Sequence, residues 1–172
     1  MMFTKIKDLF CVFVLLCLVG CASYKLGPTG DIKAGERSIQ IMPFQNQTME
    51  PRLTDYITTA LRNRFQQDGT YRLATQNDGD YLLSGKIIDL TRSGISYNPN
   101  DLVTMRDYRL RVTVQISLID RSTGKTISQK NISAHTVVLA GSDMASAERQ
   151  ALPVLSDELA RNVVTAITEG GW

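Results

Sequence analysis

An alternating segment in the second half of the chain constrains the fold most. Its apolar positions are Tyr108, Leu110, Val112, Val114, Ile116 and Leu118, and its polar positions are Arg109, Arg111, Thr113, Gln115 and Ser117. Successive side chains of a strand point to opposite faces of a sheet, so one face of this strand is apolar and the other polar. The segment therefore predicts a sheet that is covered on one face and open to water on the other.

Two more strands are predicted beside this segment. Asp120 to Lys125 has the composition of a tight hairpin turn, with Gly124 where a left-handed residue closes a short loop. A returning strand is expected from about Thr126 to Leu139, and a long strand from Tyr81 to about Tyr97 precedes the segment. Within that preceding strand, Gly85 indicates a bulge or a close approach of another part of the backbone.

Two helices are predicted from apolar residues that recur with the helical period. The first stripe comprises Leu53, Ile57, Ala60, Leu61 and Phe65, and the second comprises Ala147, Ala151, Leu155, Leu159, Val163 and Ile167. Thr48 or Glu50 is the expected cap of the first helix, and Asp68-Gly69 its end. Asp143 lies in the expected start of the second helix, and Pro153 predicts that this helix is kinked or divided.

The element order predicts the fold class. Short strands at Ser38 to Phe44 and Tyr71 to Thr75 flank the first helix, which gives the order strand, helix, several strands, helix. This order favours an α+β two-layer sandwich. We expect both helices to pack on one face of a mostly antiparallel four-stranded sheet.

The N-terminal segment has the layout of an export signal. Lys5 and Lys7 precede an uncharged apolar run that ends in Leu18-Val19-Gly20-Cys21. These four residues resemble the lipobox of bacterial lipoproteins, in which the cysteine is lipidated and becomes the first mature residue. The run is shorter than the roughly 20 residues that a membrane-spanning helix needs.

This layout predicts three parts of the chain. Residues 1–20 are expected to be a signal peptide that is removed, and residues 21–37 a lipidated N terminus and tether. Residues 38–172 are expected to form a single periplasmic domain. Ala22 rather than an aspartate follows Cys21, and for lipoproteins of this type that implies a lipid-anchored, periplasm-facing place at the outer membrane.

The composition gives little support to catalysis or to nucleic-acid binding. The formal net charge is only +2 at pH 7, so no strongly basic surface for nucleic acid is indicated. His135 is the only histidine, and two of the three cysteines, Cys11 and Cys17, lie in the predicted signal peptide. No metal-ligand spacing and no phosphate-binding glycine loop is present. We therefore expect a protein that is not an enzyme and that has no cofactor and no metal site.

Basic side chains provide the candidate binding site. The members are Arg106, Arg109 and Arg111 near one end of the alternating strand, with Lys86 and Arg92 on the strand expected beside it. If they share a face, they form a basic patch suited to phosphates or carboxylates, which guanidinium groups bind through paired hydrogen bonds. The alternative is an ordinary solvated sheet face.

The order of motifs resembles one known family. Tyr24-Lys25-Leu26-Gly27 follows the lipobox, Ile39-Gln40-Ile41-Met42-Pro43-Phe44 leads towards the first helix, and Asp80-Tyr81-Leu82-Leu83-Ser84-Gly85-Lys86-Ile87 opens the long strand. With the C-terminal helix, this order is similar to that of the LptE lipoproteins of lipopolysaccharide assembly. The resemblance implies a non-enzymatic outer-membrane lipoprotein that plugs the β-barrel LptD, supports the assembly of that barrel and binds lipopolysaccharide during delivery to the outer leaflet.

A second resemblance remains open. The segment from Ile39 to Thr48, followed by an amphipathic helix, is also similar to the start of periplasmic lipoproteins with a TolB-like N-terminal fold. That resemblance implies a secretion subunit or an activator of a peptidoglycan synthase.

The partners expected from the first resemblance are an LptD-type barrel, lipopolysaccharide and, through the N-terminal lipid, the membrane.

Overall fold

A computed structural model describes residues 35–98, 101–139 and 143–169, with the backbone alone for residues 98 and 101–106. The predicted signal peptide, Cys21 and the predicted tether up to residue 34 lie outside the described residues. Within the described ranges the chain forms six strands and two helices. In chain order these are β1 (Ser38–Ile41), β2 (Gln45–Asn46), α1 (Leu53–Asp68), β3 (Arg72–Leu73), β4 (Tyr81–Asn98), β5 (Asp101–Asp120), β6 (Thr126–Leu139) and α2 (Met144–Thr168).

All six strands belong to one mixed sheet. The strand order is β3-β1-β4-β5-β6, and the short strand β2 also pairs with β4. Strand β1 is parallel to both β3 and β4, and β2 is parallel to β4. Strands β4, β5 and β6 are antiparallel neighbours. The longest strands of the domain therefore form a three-stranded antiparallel unit, to which the parallel strands are added along one side.

The α+β class with two helices is confirmed, but the prediction of four mostly antiparallel strands is wrong. The chain leaves β1, passes through α1 and returns as β3 beside β1, and a helical crossover of this kind makes two neighbouring strands parallel. Strand β3 lies within the predicted strand at Tyr71 to Thr75, whereas β2, with two residues, is too short for an alternating pattern to reveal it.

One hydrophobic core lies between the helices and one face of the sheet. All six apolar residues of the alternating segment in β5 are buried, as predicted. Helix α1 adds Leu53, Ile57, Leu61 and Phe65 to this core, and helix α2 adds Leu152, Leu155, Leu159, Val163 and Ile167. The two helices contact each other, and α2 also contacts β6 and β5. In the described ranges neither helix combines the length and apolar character needed to cross a bilayer.

Gly85 in β4 is needed because the ring of Phe44 occupies the space where its side chain would lie. A Cβ atom added at Gly85 would be 2.4 Å from Phe44 Cε2, far inside van der Waals contact. The predicted close approach is thus made by an aromatic side chain rather than by backbone. It joins the segment between β1 and β2 to the centre of the sheet.

The ends of the elements agree in part with the sequence predictions. Helix α1 ends at Gly69 (φ +72°) and the β5–β6 turn contains Gly124 (φ +68°), both as expected for left-handed positions. Asp143 caps α2 by accepting a hydrogen bond from the backbone N of Ser146 at 3.0 Å. The N-cap position of α1 is held by Arg52, whose side chain makes no capping hydrogen bond, and the predicted Glu50 lies just before it and accepts a hydrogen bond from the backbone N of Arg52 at 3.3 Å. Helix α2 is also not divided, since it continues through Pro153.

Candidate binding surface

The polar side chains of β4, β5 and β6 form a sheet face on which no described helix packs. We call this surface the open face and define it by the outward residues of β5, namely Arg109, Arg111, Thr113, Gln115 and Ser117, and by the residues paired with them on β4 and β6. Directly opposed residues of antiparallel strands lie on the same face. The register therefore fixes the face of the sheet on which each candidate residue lies.

Arg109 and Arg111 lie side by side on the open face and are both exposed. Arg111 is paired with Thr91 on β4 and His135 on β6, and Arg109 is paired with Ser93 and Val137. Alternate residues of a strand are about 7 Å apart, so one phosphate-sized anion can contact both guanidinium groups. This pair is the part of the predicted basic patch that the fold brings together.

Lys86 shares the open face but lies away from the two arginines. It is paired with Gln115, four positions further along β5 from Arg111, which corresponds to about 13 Å. Asp89, paired with Thr113, lies between them on the same face and is exposed. Lys86 is therefore separated from the arginine pair by a carboxylate and does not extend the patch.

Arg92 lies on the other face of the sheet, against the helices. It is paired with Leu110, which is buried in the core. The reason is a β-bulge between Ile87 and Asp89, where Ile88 is the extra residue and reverses the alternation of the residues that follow. Lys86 and Arg92 would share a face in a regular strand, but the bulge places them on opposite faces.

Arg92 instead belongs to a polar cluster that joins β4, β5 and α2. Its guanidinium donates to both carboxylate oxygens of Glu148, with Nε 2.8 Å from Oε2. The hydroxyl of Tyr108 donates to the same Oε2 at 2.9 Å. The hydrogen bonds from Arg92 hold the pKa of Glu148 below its usual range, and burial together with the bond to Glu148 raises the pKa of Tyr108 to about 12. The cluster fixes the start of α2 against the sheet.

Two predicted side chains lie outside the described part of the structure. Cys21 lies outside the described residues, and of Arg106 only the backbone, within β5, is described. His135 is exposed on β6 opposite Arg111. Among the residues that the structure describes, no group of acidic, histidine or cysteine side chains is arranged to hold a metal ion.

Exposed apolar side chains lie at the same end of the sheet as the arginine pair, and the sequence predictions did not include them. Val137, paired with Arg109, is 50% exposed, and Leu139, paired with Asp107, is 72% exposed. Ile95 and Tyr97, at the far end of β4, are also about half exposed. The signal was present in the sequence, because β6 carries Val137 and Leu139 at two successive outward positions where the rest of its outward face is polar. This end of the open face thus combines cationic and apolar groups with the carboxylate of Asp107, which accepts a hydrogen bond from the hydroxyl of Ser96 at 2.6 Å.

The comparison with known families identifies the relatives of this chain. Residues 36–167 match the model of the LptE family, which is described as lipopolysaccharide-assembly. The chain belongs to this family. The match begins just before β1 and ends inside the last turn of α2, so it includes the sheet, both helices and the open face of this LptE-family protein.

Solved structures show that the fold is shared with other bacterial proteins. A minor lipoprotein from Acinetobacter baumannii has a TM-score of 0.53 and 19% identity, with 78% of this chain and 94% of that chain covered. A hypothetical protein from Chlamydia trachomatis has a TM-score of 0.56 and 10% identity, with coverages of 77% and 95%. A putative lipoprotein from Caulobacter crescentus has a TM-score of 0.51 and 12% identity, with coverages of 74% and 89%. The search of curated protein sequences found no match.

The family match assigns this chain to the LptE family of lipopolysaccharide assembly. The family acts in assembly and is non-catalytic. The family match favours the first resemblance found in the sequence over the TolB-like alternative, because it extends over nearly all of the described domain. The solved structures, at these low sequence identities, show a similarity of fold alone.

Proposed function

We propose that this protein is an outer-membrane lipoprotein, anchored through Cys21, that plugs an LptD-type β-barrel from the periplasmic side. In that position it supports assembly of the barrel and assists delivery of lipopolysaccharide to the outer leaflet. The observation that carries the proposal is the match of residues 36–167 to the lipopolysaccharide-assembly family. The lipobox-like Leu18-Val19-Gly20-Cys21 supports the anchor.

The chemistry of the open face supports contact with lipopolysaccharide. Arg109 and Arg111 present two exposed guanidinium groups on one strand, and guanidinium groups bind phosphates through paired, charge-assisted hydrogen bonds. Val137 and Leu139 lie beside them as exposed apolar groups that can contact acyl chains. A molecule with phosphates on an apolar body matches both features of this surface. Arg106 on β5 is a secondary candidate within the same proposal, and Lys86, which lies apart from the arginine pair, is a separate candidate contact on the open face.

Co-purification tests the plug. The full-length chain, expressed in a Gram-negative host and extracted in mild detergent, is expected to purify with a heat-modifiable β-barrel at a ratio near 1:1. A Cys21→Ala variant, which cannot be lipidated, provides the control for anchoring and is expected to leave the membrane fraction. Recovery of the lipidated protein as a lone monomer, or together with a peptidoglycan synthase, contradicts the proposal.

Lipopolysaccharide binding is tested by changing the arginine pair. The variant with both Arg109→Ala and Arg111→Ala is expected to bind lipopolysaccharide at least about tenfold more weakly, since each charge-assisted hydrogen bond contributes about 1.5–3 kcal/mol. The matched control changes two exposed helix arginines, Arg62→Ala and Arg161→Ala, and so alters the net charge equally. An equal loss of binding in both variants would indicate attraction by net charge alone. Unchanged lipopolysaccharide binding in the Arg109 and Arg111 variant would show that the open face is an ordinary solvated surface.

A further inference from the structure

A second cluster of arginines lines a cleft on the helix side of the sheet. The cleft has a volume of about 280 Å³ and lies where the approach to α1, strand β4 and the first turns of α2 meet. Its lining residues are Glu50, Arg52, Arg92, Ala145, Glu148 and Arg149. We call it the three-arginine cleft. It is separate from the open face, because Arg92 lies on the opposite side of the sheet from Arg109 and Arg111.

The charges in the cleft are unevenly matched. The carboxylate of Glu148 is already occupied by Arg92 and by the hydroxyl of Tyr108. Within the described residues, the side chains of Arg52 and Arg149 make no salt bridge and no hydrogen bond. Glu50 is the remaining carboxylate, so the cleft carries three guanidinium groups against two carboxylates. The surplus cationic charge resides on Arg52 and Arg149.

The positions of these two arginines are set by the fold. Arg52 occupies the N-cap position of α1, and its backbone N donates to Glu50 Oε1 at 3.3 Å. Arg149 follows Glu148 in α2, and Glu148 is held in place by its bonds to β4 and β5. The two guanidinium groups are thus carried on parts of the backbone that are fixed before a ligand arrives. Less conformational freedom is then lost on binding.

We propose that the three-arginine cleft binds a phosphate group between Arg52 and Arg149. A phosphate presents several acceptor oxygens and up to two negative charges, and these suit two planar, unpaired guanidinium groups better than a single carboxylate does. The volume accommodates one phosphate with the group that bears it. The phosphate can be a free ion or part of a lipid headgroup, since the recognised chemistry is the same. This site goes beyond the proposed function and does not depend on a barrel partner.

Phosphate titration of the full-length protein in a phosphate-free neutral detergent tests the site. Inorganic phosphate is expected to bind saturably, with a dissociation constant in the range of about 1 mM or tighter, and to shift the side-chain Nε signals of Arg52 and Arg149. Arg52→Gln and Arg149→Gln are each expected to weaken binding about tenfold. Glu50→Gln removes the carboxylate that competes with phosphate and is expected to tighten binding.

The control variants distinguish binding in this cleft from attraction by net charge and from binding at the open face. Arg161→Gln, an exposed arginine further along α2, should leave phosphate binding unchanged, and so should the Arg109→Ala and Arg111→Ala pair on the open face. Absence of saturation, or equal losses in Arg149→Gln and Arg161→Gln, overturns the proposal. If the open-face variant still binds phosphate, the cleft is a different site from the surface proposed for lipopolysaccharide. The phosphate proposal and the lipopolysaccharide proposal can therefore be contradicted independently. Circular dichroism of each variant verifies that the domain is folded.

The source of the phosphate is resolved by competition. Vesicles of phosphatidylcholine containing phosphatidic acid, which exposes a phosphomonoester, are added to the phosphate-bound protein and compared with vesicles of phosphatidylcholine alone. Displacement of free phosphate by the first vesicles only supports the site and identifies a lipid headgroup. Phosphate that binds saturably and is displaced by neither supports the site for a free anion. Displacement by both vesicle types contradicts recognition of the phosphomonoester.

Discussion

The hydroxyl of Tyr108 donates a hydrogen bond to Oε2 of Glu148 at 2.9 Å, which links strand β5 to the first turns of helix α2. Tyr108 is fully buried, and burial is the main reason why its pKa rises from 10.0 to about 12. The folded domain therefore favours the neutral form of Tyr108. This preference makes the stability of the domain depend on pH at the alkaline end.

We expect the free energy of unfolding to fall between about pH 10 and pH 12. The pKa of Tyr108 is higher in the folded state than in the unfolded state, so its contribution is complete below the unfolded value and is lost as the pH rises through the folded value. Denaturant unfolding from neutral pH to about pH 11 measures the effect, and Tyr108→Phe should reduce it. The exposed Tyr97→Phe is the control, and an identical alkaline profile in both variants would contradict the assignment to Tyr108.

The ion pair between Arg92 and Glu148 is expected to stabilise the domain more than a surface pair does. Glu148 is mostly buried, and Arg92 contacts both of its oxygens. A double-mutant cycle with Arg92→Gln and Glu148→Gln should give a coupling energy of about 1 kcal/mol or more. Arg161 and Glu158, an exposed pair at 2.7 Å on α2, form the matched cycle and should give about 0.3–0.5 kcal/mol. Equal coupling in the two cycles would show that burial adds nothing.

Gly85→Ala is expected to destabilise the domain by about 1–3 kcal/mol, because the new methyl group would overlap the ring of Phe44. The cause is verified in the Phe44→Ala background, where Gly85→Ala should lower the free energy of unfolding by much less. Thermal or denaturant unfolding of the four proteins measures both values. An equal cost in the two backgrounds would assign the effect to backbone geometry rather than to the ring.

Asp80→Ala is expected to lower stability by about 1 kcal/mol at neutral pH, after allowance for solvent screening of this exposed group. Its carboxylate accepts hydrogen bonds from the backbone N and the hydroxyl of Ser38, both at 2.7 Å, and these bonds hold the pKa of Asp80 below 3.8. The contribution is therefore present above pH 3.8 and is lost as the pH falls through the lower folded value. The neighbouring Asp78→Ala is the control. Equal losses in both variants would contradict a specific role for the Ser38 contact.

The antiparallel half of the fold could be predicted from local sequence, whereas the parallel half could not. The alternation from Tyr108 to Leu118 and the turn at Gly124 are local signals, and they predicted β5, β6 and the hairpin between them. The pairing of β1 with both β3 and β4 depends on segments that are distant in the chain. Periodicity within one segment carries no information about such partners.

The placement of the candidate basic residues was only partly predicted, for a different physical reason. Arg109 and Arg111 lie together on the open face because β5 is regular where they occur. Lys86 and Arg92 were both placed on the neighbouring strand, and their spacing of six residues would put them on one face if that strand were regular. The bulge at Ile88 breaks that rule, and Gly85, which indicated a bulge in this strand, lies three positions before it. Arg52 and Arg149 lie near the ends of separate helices, so only the fold brings them together.

The position of β1 between β3 and β4 sets an order of folding. Strands β4, β5 and β6 are consecutive antiparallel neighbours, whereas Ser38 contacts a residue 42 positions away. Because closing long loops slows the formation of the contacts that depend on them, we expect the β4–β5–β6 unit to form first and β1 to be inserted later. Pulsed hydrogen exchange during refolding should protect the amides of β5 before those of β1, and simultaneous protection would contradict this order. The strand that directly follows the predicted tether, together with β3, which pairs with it at the edge of the sheet, is then the last part of the sheet to become ordered.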